Sequence, residues 1–135
     1  MNRLSVFLVV GFAALAAVVA PATSQQVAPA PAISGDAEAG AELYSAECRG
    51  CHAVSIAPTL RGIIGRPIAS VAEFFGYSDS LKSRSGETWS ESNLDAFLTA
   101  PSAFVPGTLM VKALPDAQQR ADVIAYIATL PPPRQ

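Results

Sequence analysis

Ligand-forming residues are scarce in this 135-residue chain: one histidine, two cysteines and, apart from the initiator, one methionine. A structural zinc site needs four protein ligands, and no second cysteine pair or second histidine exists to complete one. Positive charge is not in excess either, since nine Lys and Arg stand against eleven Asp and Glu. That balance argues against a nucleic acid or an acidic membrane surface as partner. There is no internal repeat, and no alternation of strand and helix patterns of the kind a thioredoxin-like redox pair requires.

What the chain does have is concentrated. Both cysteines and the histidine fall in Cys48-Arg49-Gly50-Cys51-His52, the spacing of covalent haem attachment. Two thiols three residues apart lie about one helical turn from each other on the same face, within reach of two vinyl groups of one porphyrin. The imidazole that follows is then held under the ring, where a nitrogen can bind iron. A plain structural disulfide is the alternative at this spacing. Met110 sits after a turn signal in Val105-Pro106-Gly107-Thr108-Leu109-Met110 and off any helical stripe. A lone methionine is commonly core filler. Opposite an imidazole, however, a thioether completes a six-coordinate iron, which favours electron transfer over substrate binding.

The N-terminus reads as an export signal over residues 1–22. A short positive start, Asn2-Arg3, precedes an apolar and small-residue run from Leu4 to Ala20, and Ala20-Pro21-Ala22 is a small-x-small cleavage site. An uncleaved membrane anchor is the alternative, because the run is near the short limit for a span. Loss of the leader removes Arg3 and leaves eight basic against eleven acidic residues, a formal charge of −3. Residues 23–34 carry two prolines and no period, as an extended linker does. Residues 35–130 make one domain, and 131–135 a short tail.

Within that domain the pattern predicts helices only. Ser34 and Gly35 open a first helix with Asp36 and Glu38 in its first turn, and Ala37, Gly40, Ala41 and Tyr44 share a face. Ser90 caps a middle helix with Leu94, Phe97 and Leu98 inward, which Pro101 ends. Asp116 with Gln119 resembles a capping box for a last helix, whose apolar stripe is Val123, Ile124, Ile127 and Ala128. The loops between are long for so small a domain unless a cofactor organises them.

Taken in order, several segments resemble the class I cytochromes c, nearest to the mitochondrial and soluble bacterial carriers. They are Gly40 and Tyr44 before Cys-x-x-Cys-His, Ala57-Pro58-Thr59-Leu60-Arg61-Gly62, Gly65-Arg66, Phe75-Gly76-Tyr77-Ser78, Trp89, Pro106-Gly107-Thr108-Leu109-Met110 and Arg120-Ala121-Asp122-Val123-Ile124-Ala125-Tyr126. The resemblance implies an all-α class I cytochrome c fold, with three to five short helices wrapped around one covalent c-type haem. It implies thioethers at Cys48 and Cys51, and His52 and Met110 as axial ligands. The Pro58 carbonyl would accept the His52 ring N–H, and Arg66, Tyr77 and Trp89 would bond or neutralise the propionates. Leu60, Phe97 and Thr108 complete the cofactor-binding set.

Four departures from the family pattern stand out. Only five residues, 53–57, separate His52 from Pro58, so a loop common in mitochondrial members is cut short. Phe97 replaces a tyrosine that usually reaches the methionine sulfur. The lysines that commonly ring the haem edge give way to Ser102, Ala103, Leu109, Glu42 and Glu47. Lys112 stands where an aromatic is usual.

The resemblance implies a periplasmic, single-haem electron carrier of a respiratory chain, monomeric and not an enzyme. Its partners would be redox proteins: an oxidase, a cytochrome bc complex or a periplasmic dehydrogenase. No nucleic acid is expected, and a membrane only if the leader is retained. The alternatives are a cytochrome subunit held in a dehydrogenase complex, or a haem sensor or peroxidase-like enzyme should Met110 be labile.

Overall fold

The computed structural model describes residues 33–134; the expected leader of residues 1–22 and all but the last two linker residues lie outside them. Six helical segments occur in this range: α1 (Ala37–Glu47), α2 (Arg49–His52), α3 (Asp79–Lys82), α4 (Glu91–Thr99), α5 (Pro101–Phe104) and α6 (Ala117–Thr129). The all-α class is as the sequence implied. The segments exceed three to five because α2, α3 and α5 are single turns too short to show a period. Among the described residues none is long and apolar enough to cross a membrane.

α1 begins one residue later than Ser34 and Gly35 suggest. Asp36 is its N-cap, accepting from the backbone N–H of Glu38 at 2.8 Å and of Ala39 at 3.3 Å. A carboxylate that closes two orphan donors outcompetes a serine two residues upstream. The carbonyl of Ser34 instead accepts from Gln118 Nε2 of α6 at 3.0 Å. Ser90 caps α4 through the N–H of Asn93, and Asp116 caps α6 through that of Gln119. Pro101 does end α4, and it also starts α5 from the first helical position, where its missing N–H is no loss.

α1 crosses α6 at close range because Gly40 presents no side chain. A Cβ there would lie 2.0 Å from the Asp122 carbonyl oxygen and 2.9 Å from the Tyr126 Cβ. Tyr44 and Tyr126 pack beside this contact with ring centroids 5.1 Å apart. On α6, Val123, Ile124 and Ile127 are buried, whereas Ala128 is exposed, so the stripe is one residue narrower than expected. Each buried aliphatic side chain stabilises by about 1.5–3 kcal/mol relative to exposure.

Between α2 and α4 the chain is mostly loop. Gly65 N–H donates to the Trp89 carbonyl, and the N–H groups of Trp89 and Ile68 donate to the carbonyls of Arg66 and Glu87, each at 2.9 Å. This short antiparallel contact, with an isolated bridge between Pro67 and Thr88, fixes Arg66 and Trp89 side by side in the backbone.

Candidate functional site

Cys48 ends α1 and caps α2. The N–H groups of Cys51 and His52 both donate to its carbonyl, at 3.2 and 3.0 Å, so the motif folds as one tight turn. Both cysteines are free thiols, Cys48 buried and Cys51 exposed, so the disulfide alternative is not what the structure contains. Burial pushes the Cys48 thiol up to about 11; the neighbouring Glu47 charge adds to this and Lys112 opposes it.

The connection from His52 to Pro58 is closed by Ala57 N–H donating to the Cys51 carbonyl at 3.1 Å. It turns through Ser55, whose φ of +64° lies in the left-handed region. This reversal brings the Pro58 carbonyl oxygen 2.7 Å from His52 Nδ1. A carbonyl only accepts, so Nδ1 carries the ring proton and Nε2 keeps its lone pair. Burial lowers the His52 pKa, more than the bond to Pro58 raises it, which favours the neutral, ligating imidazole.

Met110 is positioned by a different device. Val105 to Thr108 form a turn closed by Thr108 N–H to the Val105 carbonyl at 3.2 Å, with Gly107 at φ +79°. Pro106 then Gly107 is the signature of a type II turn, in which the third residue needs positive φ. Thr108 Oγ1 accepts from the Met110 N–H at 3.3 Å. Beyond the loop, Leu114 N–H bonds the Leu98 carbonyl at 2.8 Å, and buried Arg120 holds the carbonyls of Leu114 and Pro115 and the Asp95 carboxylate. Lys112 is ion-paired to Glu47, so the residue two after Met110 is tied to the residue before Cys48.

Cys48, Leu60, Trp89 and Phe97 belong to one buried cluster, and Tyr77 and Met110 pack against it. Trp89 lies 5.2 Å from Phe97 and stacks on Phe104 at 6.2 Å. Arg66 and Tyr77 are neighbours, each charge felt by the other. In this structure both serve the backbone: Arg66 Nη2 donates to the Thr59 carbonyl at 2.7 Å, and the Tyr77 hydroxyl accepts from Val71 N–H at 3.3 Å. Burial raises the Tyr77 pKa, against the pull of that bond and of Arg66, and lowers the Arg66 pKa.

Sequence reasoning missed two arginines. Arg120 is the buried tie just described. Arg84 lies 3.8 Å over the Phe104 ring, donates to the Phe104 carbonyl and forks onto Glu87 through two bonds of 2.8 and 2.7 Å. Its three-residue spacing from Glu87 was the available signal.

The donor set fits a c-type haem: two free thiols one turn apart, an imidazole with one nitrogen committed and the other available, and a thioether on a fixed turn. Comparisons with known proteins agree. The cytochrome c family profile matches residues 37–131. The chain is 44% identical over 116 residues to the cytochrome c-type cyt cy of Rhodobacter capsulatus, which covers 82% of this chain and 57% of that protein. It thus spans little more than half of that relative's length. It is 45% identical over 101 residues to the cytochrome c of Tetrahymena pyriformis, covering 71% of this chain and 90% of that one. The solved structure of cytochrome cH from Methylobacterium extorquens superposes with a TM-score of 0.63 at 37% identity, covering 70% of this chain and 99% of that chain. The chain therefore belongs to the cytochrome c family, whose members bear covalent haem and act as electron carriers rather than enzymes.

Proposed function

We propose that this chain is an exported, single-haem cytochrome that carries one electron between respiratory or dehydrogenase partners in the periplasm. Cys48 and Cys51 would hold the cofactor covalently, with His52 Nε2 and Met110 Sδ as the axial donors. When bound, the haem iron supplies the one-electron couple. The observation that carries this reading is the 2.7 Å contact of His52 Nδ1 with the Pro58 carbonyl, which fixes the tautomer and orients Nε2 as a ligand. Leu60, Trp89 and Phe97 keep water from the pocket, Thr108 braces the Met110 backbone, and Arg66 and Tyr77 are the polar pair for the propionates. Residues 1–22 serve as leader, 23–34 as linker, 35–130 as the haem domain and 131–135 as tail. The protein works as a monomer.

Spectra of the haem-loaded protein test the ligation. The ferric form should show the methionine-to-iron charge-transfer band, and Met110→Ala should abolish it while leaving the covalent haem. Absence of the band from the unaltered protein, with rapid cyanide or carbon monoxide binding, would instead mark an open iron site and a sensor or enzyme.

Docking follows from the surface beside Met110. Leu109 and Val111 are 78% and 89% exposed, and the nearest lysine, Lys112, is neutralised by Glu47. Apolar contact therefore dominates there, and the rate of electron transfer to the physiological partner should change little as the Debye length shrinks from about 30 to 8 Å. A steep fall in rate with salt would overturn apolar docking.

A further inference from the structure

Most basic side chains of the described fold are already committed. Lys82, Arg84, Lys112 and Arg120 are ion-paired, and Arg66 donates to the carbonyls of Thr59 and Arg61. Arg49 and Arg61 differ, as does Arg134 of the tail: among the described residues none of these guanidinium groups has a carboxylate partner or donates a side-chain hydrogen bond. Residues 1–32 contain no Asp or Glu that could pair with them. In a chain of net negative charge, two uncommitted arginines in one place stand out.

Arg49 and Arg61 do share one place. Both line a surface cleft of about 480 Å³ between the α1–α2 corner, the 53–57 connection and the end of α6, and no Asp or Glu lines it. Tyr44, Ser45, Ser55 and Thr59, which carry hydroxyls, line it as well. Burial holds the Tyr44 hydroxyl above the usual phenol range, while the Arg49 and Arg61 charges both pull it down, so both cations reach the same wall. The five-residue connection borders this cleft and contributes to its wall. Of the proposed haem-binding residues His52 lines it, so the cleft abuts that site, while Cys48, Leu60, Trp89, Phe97 and Met110 do not line it. Its volume falls in the range of small-molecule sites and exceeds what a monatomic ion fills.

We propose that this cleft binds a small multivalent oxyanion through Arg49 and Arg61. Guanidinium forks match the paired oxygens of phosphoryl and carboxylate groups, and the hydroxyls supply further donors. The ligand chemistry is that of a compact molecule with two or more anionic oxygens groups apart by a few bonds, as in a diphosphate or a polycarboxylate.

The test is titration of the haem-loaded protein with inorganic pyrophosphate and, separately, citrate, by calorimetry and by NMR of the arginine side chains at fixed ionic strength. At least one anion should bind saturably with perturbation of Arg49 and Arg61. Arg49→Gln and Arg61→Gln should each weaken it by about fivefold or more, the loss of roughly 1 kcal/mol expected for a semi-exposed charge contact. The double variant should show no saturable binding, and Arg134→Gln and Lys82→Gln should bind as the unaltered protein does. The tighter of the two anions identifies the phosphoryl or the carboxylate source. Non-saturable binding, or equal loss in the Arg134→Gln control, would mean an adventitious ion only and would overturn the proposal. Retained haem spectra in every variant keep a folding defect from imitating loss of the site.

Discussion

The α1–α6 crossing and the loop region of residues 53–78 are stabilised by different means. At the crossing, helix meets helix: the Asp122 backbone lies where a Gly40 side chain would be, Val123 is fully buried, and the Asp122 carboxylate accepts from Asp36 N–H at 2.8 Å and Gln118 Nε2 at 2.7 Å. In the loop region no helix occurs, and single side chains hold backbone groups: His52 with Pro58, Arg66 with Thr59 and Arg61, Tyr77 with Val71. One region is complete in its own polypeptide contacts. The other is a long irregular segment, of the sort that compact domains sustain when a bound group organises it.

The largest expected effect comes from removing that group. Cys48→Ala with Cys51→Ala prevents covalent attachment, so the loop region loses its apolar centre while the crossing keeps all its contacts. Circular dichroism should show a reduced helical signal, what remains coming from α1 and α6, and cooperative melting should be lost. Limited proteolysis should cut residues 53–78 before α1 or α6. Native-like melting of the haem-free variant would mean that the loops hold themselves, and the contrast between the two regions would fail.

A substitution on the other side of the comparison should act through packing alone. Gly40→Ala drives a methyl into the Asp122 carbonyl, a backbone atom that moves only if the helices separate. The expected loss is about 3 kcal/mol, at the upper end for overpacking, measured by denaturant unfolding of the haem-loaded protein. Gly50→Ala is the matched control, because nothing lies within 4 Å of a Cβ there, and it should change stability by less than about 0.5 kcal/mol. A loss below about 1 kcal/mol at Gly40 would show that the crossing is loose.

Legibility in the sequence followed the same division. The helix faces could be read, because a helix period is a local signal: Gly40 and Tyr44 share the face that meets α6, and Val123, Ile124 and Ile127 are buried as their stripe required. The caps at Ser90 and Asp116 were equally local, whereas Asp36 was assigned to the first turn when it caps α1. The attachment motif was visible as five consecutive residues. What could not be read were contacts whose partners are backbone atoms or lie far along the chain. Arg120 looks like an ordinary helix-surface charge until Leu114, Pro115 and Asp95 converge on it. Arg66 carries no sequence sign that it holds the Thr59 carbonyl, seven residues away. The pairing of Glu47 with Lys112 depends on the end of α1 meeting the loop after Met110, which no period encodes.

Tyrosines in the two regions offer a finer contrast. Burial raises both Tyr44 and Tyr77 above the ordinary phenol pKa. The folded protein therefore keeps these protons when the unfolded chain, with tyrosines near 10, gives them up. This contribution to stability is complete below about pH 10 and is lost as pH rises through the folded values. Tyr44→Phe and Tyr77→Phe should each flatten the alkaline fall in stability. At pH 7 they should differ: Tyr77→Phe loses the acceptor for Val71 N–H, costing about 0.5–1.5 kcal/mol, and Tyr44→Phe, whose hydroxyl has no such bond, should be close to neutral. Unfolding free energies from pH 7 to 11 check both. Equal losses at pH 7 would remove the distinction between side chains that pack and side chains that hold single backbone groups.

The smallest effect concerns where backbone strain resides. Among the described residues, two that are not glycine have positive φ, Ser55 at +64° and Ala69 at +56°, and both lie in the loop region. A left-handed conformation costs an L-residue about 1–2 kcal/mol, and glycine escapes most of it at some expense in unfolded-state entropy. Ser55 is exposed, so its side chain gives up no burial on removal, whereas Ala69 packs against the core. Ser55→Gly should therefore stabilise the haem-loaded protein by about 0.5 kcal/mol, and Ala69→Gly by less, because the lost methyl contact offsets the relief. Denaturant midpoints of the two variants, measured with unchanged slopes, decide the matter. Destabilisation by Ser55→Gly would mean that the five-residue connection after His52 is not strained. The tight reversal that brings the Pro58 carbonyl to His52 would then rest on contacts of the serine side chain rather than on chain length alone.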